Sequence, residues 1–213
     1  MSAAANTDVV QPDSFAFTPE NLEKVKKIVA KYPEGRQGSA VMPLLDLAQR
    51  QHGWLPRAAM DEIARLLDMA PIRVYEVATF YTMYNLQPVG KYLIQVCRTT
   101  PCWLRGSDNL TDYLKQRLGV GMKEVTKDGL FSIMEVECLG ACCNAPMVQI
   151  NDDFYEDLTP ETLGKVLDEL AAGRKPQTGP QNGRRASMAE GGPTTLKDIP
   201  ISYDISRDLT GGK

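Results

Sequence analysis

The sequence contains a single histidine and no long apolar run. The lone histidine, His52, excludes a Rieske centre, because a cluster of that type needs two histidine ligands. His52 lies directly before Gly53 and is expected to be a helix-terminal or packing residue. No stretch approaches the ~18 consecutive apolar residues that a membrane helix requires, so we expect no direct insertion into a membrane.

Sequences typical of nucleotide binding are also missing. Gly119-Val120-Gly121 continues without the third glycine of a dinucleotide fingerprint, and no Walker-type loop is present. The formal net charge is −3, whereas nucleic-acid-binding domains are usually basic. We therefore expect that this chain by itself binds neither NADH nor nucleic acid.

The beginning of the chain has no features of a targeting segment. Residues 1–12 lack the cationic start and apolar core of a signal peptide, and no arginine precedes Arg36, although mitochondrial presequences are rich in arginine. These features predict an unexported protein and favour a bacterial origin. In such a chain, an odd number of cysteines, here five, indicates metal or redox chemistry in preference to disulfides.

Helical periodicity fills the first part of the chain. Thr18-Pro19-Glu20 combines an N-cap residue, a first-turn proline and an early acid. Apolar residues then recur at helical spacing in four segments separated by glycine or proline. The sequence predicts a polar arm over residues 1–17 and a small helical bundle over residues 18–88.

The apolar period changes after Pro88-Val89-Gly90. The order strand, helix, strand, strand, strand, helix is predicted over residues 89–173, which indicates a compact α/β domain and an α+β protein as a whole. Residues 174–213 are rich in Gly, Pro, Ser and Thr and cannot bury enough apolar surface to fold alone. We predict an extended tail that is ordered only against a partner, with Arg184-Arg185 as solvated charge.

Four of the five cysteines form two close pairs. Cys97 and Cys102 are separated by four residues, Cys138 and Cys142 by three, and each pair begins where a predicted strand ends. Two loops of this kind meet at one edge of a sheet and provide four soft thiolate ligands, two for each metal of a two-iron cluster. The pattern predicts a [2Fe–2S] cluster.

Other interpretations remain open on spacing alone. A structural zinc could use the same thiolates, although zinc ribbons usually pair them as C-x₂-C, and thioredoxin-type redox chemistry would also want C-x-x-C. The cysteines could also be small buried hydrophobic residues. We interpret Cys143 as a packing residue that points away from Cys142 if the backbone there is near extended; exchange with Cys142 as a ligand is the alternative.

Motifs around and beyond the cysteines allow a comparison with known families. They are Ala78-Thr79-Phe80-Tyr81, Cys97 with Pro101-Cys102, Cys138-Leu139-Gly140-Ala141-Cys142 with Asn144-Ala145-Pro146-Met147, and Tyr155-Glu156-Asp157-Leu158-Thr159. Together they span residues 15–175 and resemble the 24 kDa [2Fe–2S] subunit, or E chain, of respiratory complex I and the bacterial NADH–quinone oxidoreductase.

The resemblance implies a helical bundle followed by a thioredoxin-like domain with one [2Fe–2S] cluster on Cys97, Cys102, Cys138 and Cys142. It implies electron transfer beside a flavoprotein subunit that binds FMN and NADH, with the large iron–sulfur subunit as a second partner. The expected location is the peripheral arm, on the cytoplasmic face of the bacterial inner membrane or the matrix side in mitochondria. Similar subunits occur in NAD-linked formate dehydrogenases and NAD-reducing hydrogenases, which remain alternative hosts.

Two experiments can be designed from the sequence. Glu135 and Glu137 precede Cys138, and negative charge near a cluster disfavours its reduced state, so we predict a low potential that substitution by Gln raises. We expect the bundle and the tail to contact the flavoprotein. Deletion of residues 174–213 should then weaken co-purification and leave the cluster's absorbance unchanged.

Overall fold

The structure is a computed structural model that describes residues 9–189, 191–192 and 194–195. Predictions for residues 1–8 of the polar arm, and for residues 190, 193 and 196–213 of the tail, lie outside the described residues. Within the described part of the chain, no helix combines the length and the apolar character needed to cross a membrane.

Four helices and one shared core make up the first part of the fold. The helices are α1 (Pro19–Val29), α2 (Val41–His52), α3 (Arg57–Leu66) and α4 (Pro71–Phe80), with a 3₁₀ turn at Gln37–Ala40. Thr18 caps α1 by accepting the Asn21 N–H, as its residue type predicts. Gly53 ends α2 in the left-handed conformation that glycine tolerates. The apolar faces of these helices pack around Leu44, Leu45 and Ile63.

A five-stranded sheet follows, flanked by helices. Its strands are β1 (Tyr92–Cys97), β2 (Phe131–Val136), β3 (Val148–Ile150), β4 (Asp153–Glu156) and β5 (Gly179–Pro180), in the spatial order β2-β1-β3-β4-β5. β1 is parallel to β2 and antiparallel to β3, β3 is antiparallel to β4, and β4 is parallel to β5. The helices are α5 (Thr100–Leu104), α6 (Ser107–Leu118) and α7 (Pro160–Ala171), and α6 and α7 share a buried core with the strands.

The parallel pairing of β1 and β2 brings their carboxyl ends to the same edge. Cys97 is the last residue of β1, and its register partner is Val136, the last residue of β2. Cys138 follows two residues later. The prediction that both cysteine pairs begin at one edge of the sheet agrees with this topology.

The segment after α7 differs from the predicted tail. Gly179–Pro180 pairs with β4, and the Gln181 N–H donates to the Glu156 carbonyl at 2.9 Å. Arg184, predicted as solvated charge, has a side chain that is only 9% exposed. Residues 179–186 therefore contact β4 and the residues next to it in this chain. Edge-strand hydrogen bonds and a buried ion pair hold them there, in place of the apolar periodicity that the sequence lacks.

Candidate metal centre

The four paired cysteines lie where β1 and β2 end, with one pair buried in the protein and the other exposed at its surface. Cys97 and Cys102 are each 1% exposed, whereas Cys138 and Cys142 are exposed. The sulfurs of Cys138 and Cys142 are 3.4 Å apart, and Cys97 and Cys102 belong to one buried cluster. Among the residues described, no three Cys, His, Asp or Glu side chains are arranged around one metal position. The thiols form two pairs, as the ligands of a two-iron cluster must.

The connection between Cys97 and Cys102 is a short helix that the sequence did not predict. Thr99 is the N-cap of α5, and Pro101 occupies its first turn, where a missing N–H costs nothing. The Thr99 side chain does not cap the helix; its hydroxyl lies 3.5 Å from the Cys97 sulfur. Thr99 therefore presents its hydroxyl to the cysteine at the end of β1.

The second pair lies on an irregular turn. Gly140 has a φ of 91°, which glycine adopts without strain. Cys142–Asn144 is a 3₁₀ turn, so the backbone at Cys143 is not near extended. Cys143 is exposed, and its thiol contacts the Asn144 side-chain oxygen at 3.0 Å. The interpretation of Cys143 as a packing residue is therefore also wrong.

Within each pair, one thiol has a lowered pKa and the other has a raised pKa. Burial tends to raise the pKa of Cys97, but hydrogen bonds from the Thr99 hydroxyl and from backbone N–H groups lower it below its usual value. Burial raises the pKa of Cys102 to about 12. The hydrogen bond between Cys138 and Cys142 lowers the pKa of the first and raises that of the second. Because the thiolate is the metal-binding form, one thiol of each pair loses its proton for metal binding more easily than the other.

An ion pair lies beside the cysteines. Arg98 follows Cys97, and its Nη1 lies 3.1 Å from a carboxylate oxygen of Glu135. The Arg98 N–H donates to the Val136 carbonyl. The sequence pattern pointed to Glu135 and Glu137 but not to Arg98 and Thr99, although both lie in the short loop between two cysteines.

His52 is the last residue of α2, as predicted. Its ring packs beside Trp54 and Phe15, with centroid distances of 5.5 and 6.3 Å. It therefore belongs to the helical part of the fold.

Comparison with known proteins establishes the family. The sequence profile of the thioredoxin-like [2Fe–2S] ferredoxins matches residues 25–171. The chain belongs to this family. The thioredoxin-like fold and the binding of an iron–sulfur cluster, both implied by the resemblance, are thus confirmed at the level of the family, and four thiols in two pairs fit such a cluster.

Relatives of this thioredoxin-like [2Fe–2S] ferredoxin confirm the resemblance to the E chain. The E chain of the NADH-quinone oxidoreductase of Rickettsia bellii is 58% identical over 158 residues, which cover 74% of this chain and 95% of that protein. NADH dehydrogenase [ubiquinone] flavoprotein 2, mitochondrial, of Dictyostelium discoideum is 50% identical over 196 residues, 92% of this chain and 79% of that protein.

A solved structure shares the fold. The air-oxidized NAD⁺-reducing [NiFe]-hydrogenase aligns with a TM-score of 0.54 and 19% identity. The alignment covers 61% of this chain and 23% of the hydrogenase chain. At this identity the likeness concerns the fold alone.

Proposed function

We propose that this ferredoxin is the electron-transfer subunit of the NADH dehydrogenase module of an NADH:quinone oxidoreductase, with one [2Fe–2S] cluster on Cys97, Cys102, Cys138 and Cys142. The observation that supports this most strongly is the pairing of these thiols at one sheet edge, in a chain 58% identical to the E chain of such a complex. When bound, the cluster would take up and release one electron.

The protein residues would hold the cluster and set its potential. Cys97 and Cys102 would fix its inner side, and the exposed Cys138 and Cys142 its outer side, nearer to a partner. The Thr99 hydroxyl would donate to a ligand sulfur, and the Arg98–Glu135 pair would supply nearly balanced charge close by. No side chain is needed as an acid or base.

The proposed partners are the flavoprotein that binds FMN and NADH and the large iron–sulfur subunit of the peripheral arm. Exposed apolar side chains next to Cys102 support a protein contact here: Trp103 is 57% and Leu104 is 70% exposed. We further propose that residues 18–88 form a separate helical bundle, that the cluster domain follows it, and that the complex faces the bacterial cytoplasm or the mitochondrial matrix.

A related host complex is the alternative. The family resemblance leaves a cluster subunit of an NAD-linked formate dehydrogenase or of an NAD⁺-reducing hydrogenase as the alternative, and the shared fold agrees with the hydrogenase. Co-purification of the native complex separates these hosts, because a flavoprotein with a quinone-reducing membrane arm indicates the first, and a hydrogenase or formate dehydrogenase subunit the second.

The test is EPR with iron and zinc analysis on anaerobically purified protein, before and after dithionite. We expect about two irons per chain and an S = 1/2 signal only after reduction. Cys138→Ser should lose or alter this signal, and the matched variant Cys143→Ser should keep it. Stoichiometric zinc without a signal would instead establish the structural zinc alternative.

A further inference from the structure

Three polar side chains are buried beneath the turn that carries Cys142. Asn144 is 1% exposed and Asp157 7%, and the Arg184 side chain is 9% exposed. A buried charge is costly unless it is paired and hydrogen-bonded. An arginine buried in a Gly- and Pro-rich segment therefore indicates a specific role.

The contacts of Arg184 join the tail to this turn. Its Nη1 donates to the Cys143 carbonyl at 2.7 Å, and its Nη2 lies 2.9 Å from the Asp157 Oδ1. One planar guanidinium thus holds a backbone carbonyl of the turn and a carboxylate at the end of β4. A lysine has the charge but lacks this fixed two-armed geometry.

Asn144 connects the same partners from within the turn. Its side-chain amide donates to the Ala186 carbonyl at 2.9 Å and to the Asp157 Oδ2 at 3.3 Å. The backbone carbonyl of Asn144 accepts the backbone N–H of Asp157 at 2.8 Å. The turn is therefore fixed on one side by β4 and on the other by residues 184–186.

One atom of the network makes no hydrogen bond. Within the described residues, Arg184 Nε is buried without a hydrogen-bond partner. Leaving a buried donor unsatisfied is unfavourable, and the two other guanidinium contacts offset it. The guanidinium is therefore placed so that it contacts the turn and Asp157, although one of its N–H groups makes no hydrogen bond.

We propose that Arg184 is a positioning residue for the metal centre: with Asp157 and Asn144 it fixes the Cys142–Asn144 turn and so orients Cys142 before the cluster binds. The inference rests on the proposed function and extends it, because it makes the segment after α7 a supporting part of the centre. Residues that orient ligands in this way strongly affect metal retention.

The test compares Arg184→Gln with Arg174→Gln in the full chain. Both changes remove one positive charge, but Arg174 is exposed. Three quantities are measured: backbone amide exchange over residues 139–146 in the cluster-free protein, loss of cluster absorbance in the presence of an iron chelator, and the g values of the reduced protein. Arg184→Lys is added as a milder variant that keeps the charge.

For Arg184→Gln we expect faster amide exchange in the turn, roughly 10- to 100-fold faster loss of the cluster and shifted g values. Arg174→Gln should behave as the wild type. Arg184→Lys should give intermediate exchange rates, cluster loss and g values. If Arg184→Gln does not fold, the comparison of Arg184→Lys with the wild type decides the question. Wild-type exchange, retention and g values in folded Arg184→Lys and Arg184→Gln would overturn the proposal.

The proposed function can fail independently of this inference. If the wild type contains zinc and no iron, the proposed electron-transfer function is refuted. Amide exchange in the metal-free protein still decides whether Arg184 fixes the turn, with unchanged exchange in Arg184→Gln counting against it.

Discussion

At the scale of single residues, Thr99 offers a direct way to change the properties of the centre. Its hydroxyl lies 3.5 Å from the Cys97 sulfur and helps to lower the pKa of that thiol. A hydrogen bond to a cluster ligand stabilises the more negative reduced state. Thr99→Val should therefore lower the midpoint potential, by roughly 20–60 mV if one hydrogen bond contributes about 1 kcal/mol.

The measurement is an EPR-monitored redox titration of the holoprotein. Thr100→Val is a suitable control, because it makes the same change on the adjacent residue. An unchanged potential in Thr99→Val would mean that the hydroxyl does not donate to the ligand once the cluster is bound.

The charges beside the site should shift the potential in opposite directions. Arg98 and Glu135 form an ion pair at 3.1 Å, so removal of either partner leaves the other uncompensated. Arg98→Gln should lower the potential, and Glu135→Gln should raise it, as the sequence predicted for Glu135 and Glu137. The double variant should lie near the wild type.

Redox titration at low and high salt checks this prediction. The shifts should shrink at high salt, because both side chains are partly exposed. Equal shifts of the same sign in both single variants would show that structural disturbance, and not charge, determines the potential.

At the scale of elements, the entry into β1 depends on close approach of two backbones. A Cβ built on Gly90 would lie 2.5 Å from the Phe131 carbonyl carbon and 2.8 Å from its Cα. Since backbone atoms of β2 cannot move aside cheaply, Gly90→Ala should lower the free energy of unfolding by roughly 1–3 kcal/mol. Gly191→Ala, which meets nothing within 4 Å, is the control. Urea unfolding of both variants measures the difference, and equal stabilities would contradict the prediction.

The sequence predicted most elements because their signals are local. Thr18 and Pro19 mark the start of α1, and the apolar run before Cys97 marks β1. It missed α5, because five residues around Pro101 are too few to show helical periodicity. It missed β5, because Gly179–Pro180 has the composition of a turn and pairs only through the neighbouring edge of β4.

The same difference between local and long-range signals explains which residues of the candidate site could be predicted. The four cysteines could be found from their spacing and from the strand ends. The contact of Arg184 with Cys143 joins residues 41 positions apart, and no local pattern encodes it. Such contacts depend on how the segment after α7 returns to the sheet, which composition alone does not reveal.

At the scale of the whole molecule, the structure changes the expected result of removing the tail. The sequence predicted that deletion of residues 174–213 would leave the cluster's absorbance unchanged. That deletion also removes β5 and Arg184, so we now expect a less stable cluster. A chain that ends at residue 189 keeps both and should retain the cluster. Absorbance decay of the two truncated proteins under chelator decides between these expectations; equal decay would restore the sequence-based prediction.

The helical part and the sheet are joined by an ion pair. Arg50 of α2 donates to both carboxylate oxygens of Asp152, at 2.8 and 3.0 Å, and also binds Asp46. The hydrogen bond from Arg50 lowers the pKa of Asp152 below its usual value of 3.8. A carboxyl group whose pKa is depressed in the folded state stabilises it above the unfolded pKa, and this contribution is lost as the pH falls through the folded pKa.

Asp152→Asn should therefore destabilise the protein near neutral pH and have a smaller effect at acid pH, below the lowered pKa of Asp152. The loss should stay below about 1 kcal/mol, because both side chains are more than half exposed and solvent screens the pair. Asp112→Asn, at an exposed position on α6, is the matched control. Urea unfolding at both pH values measures the difference between the variants. A loss that does not depend on pH would mean that Asp152 acts through the shape of the β3–β4 turn and not through its charge.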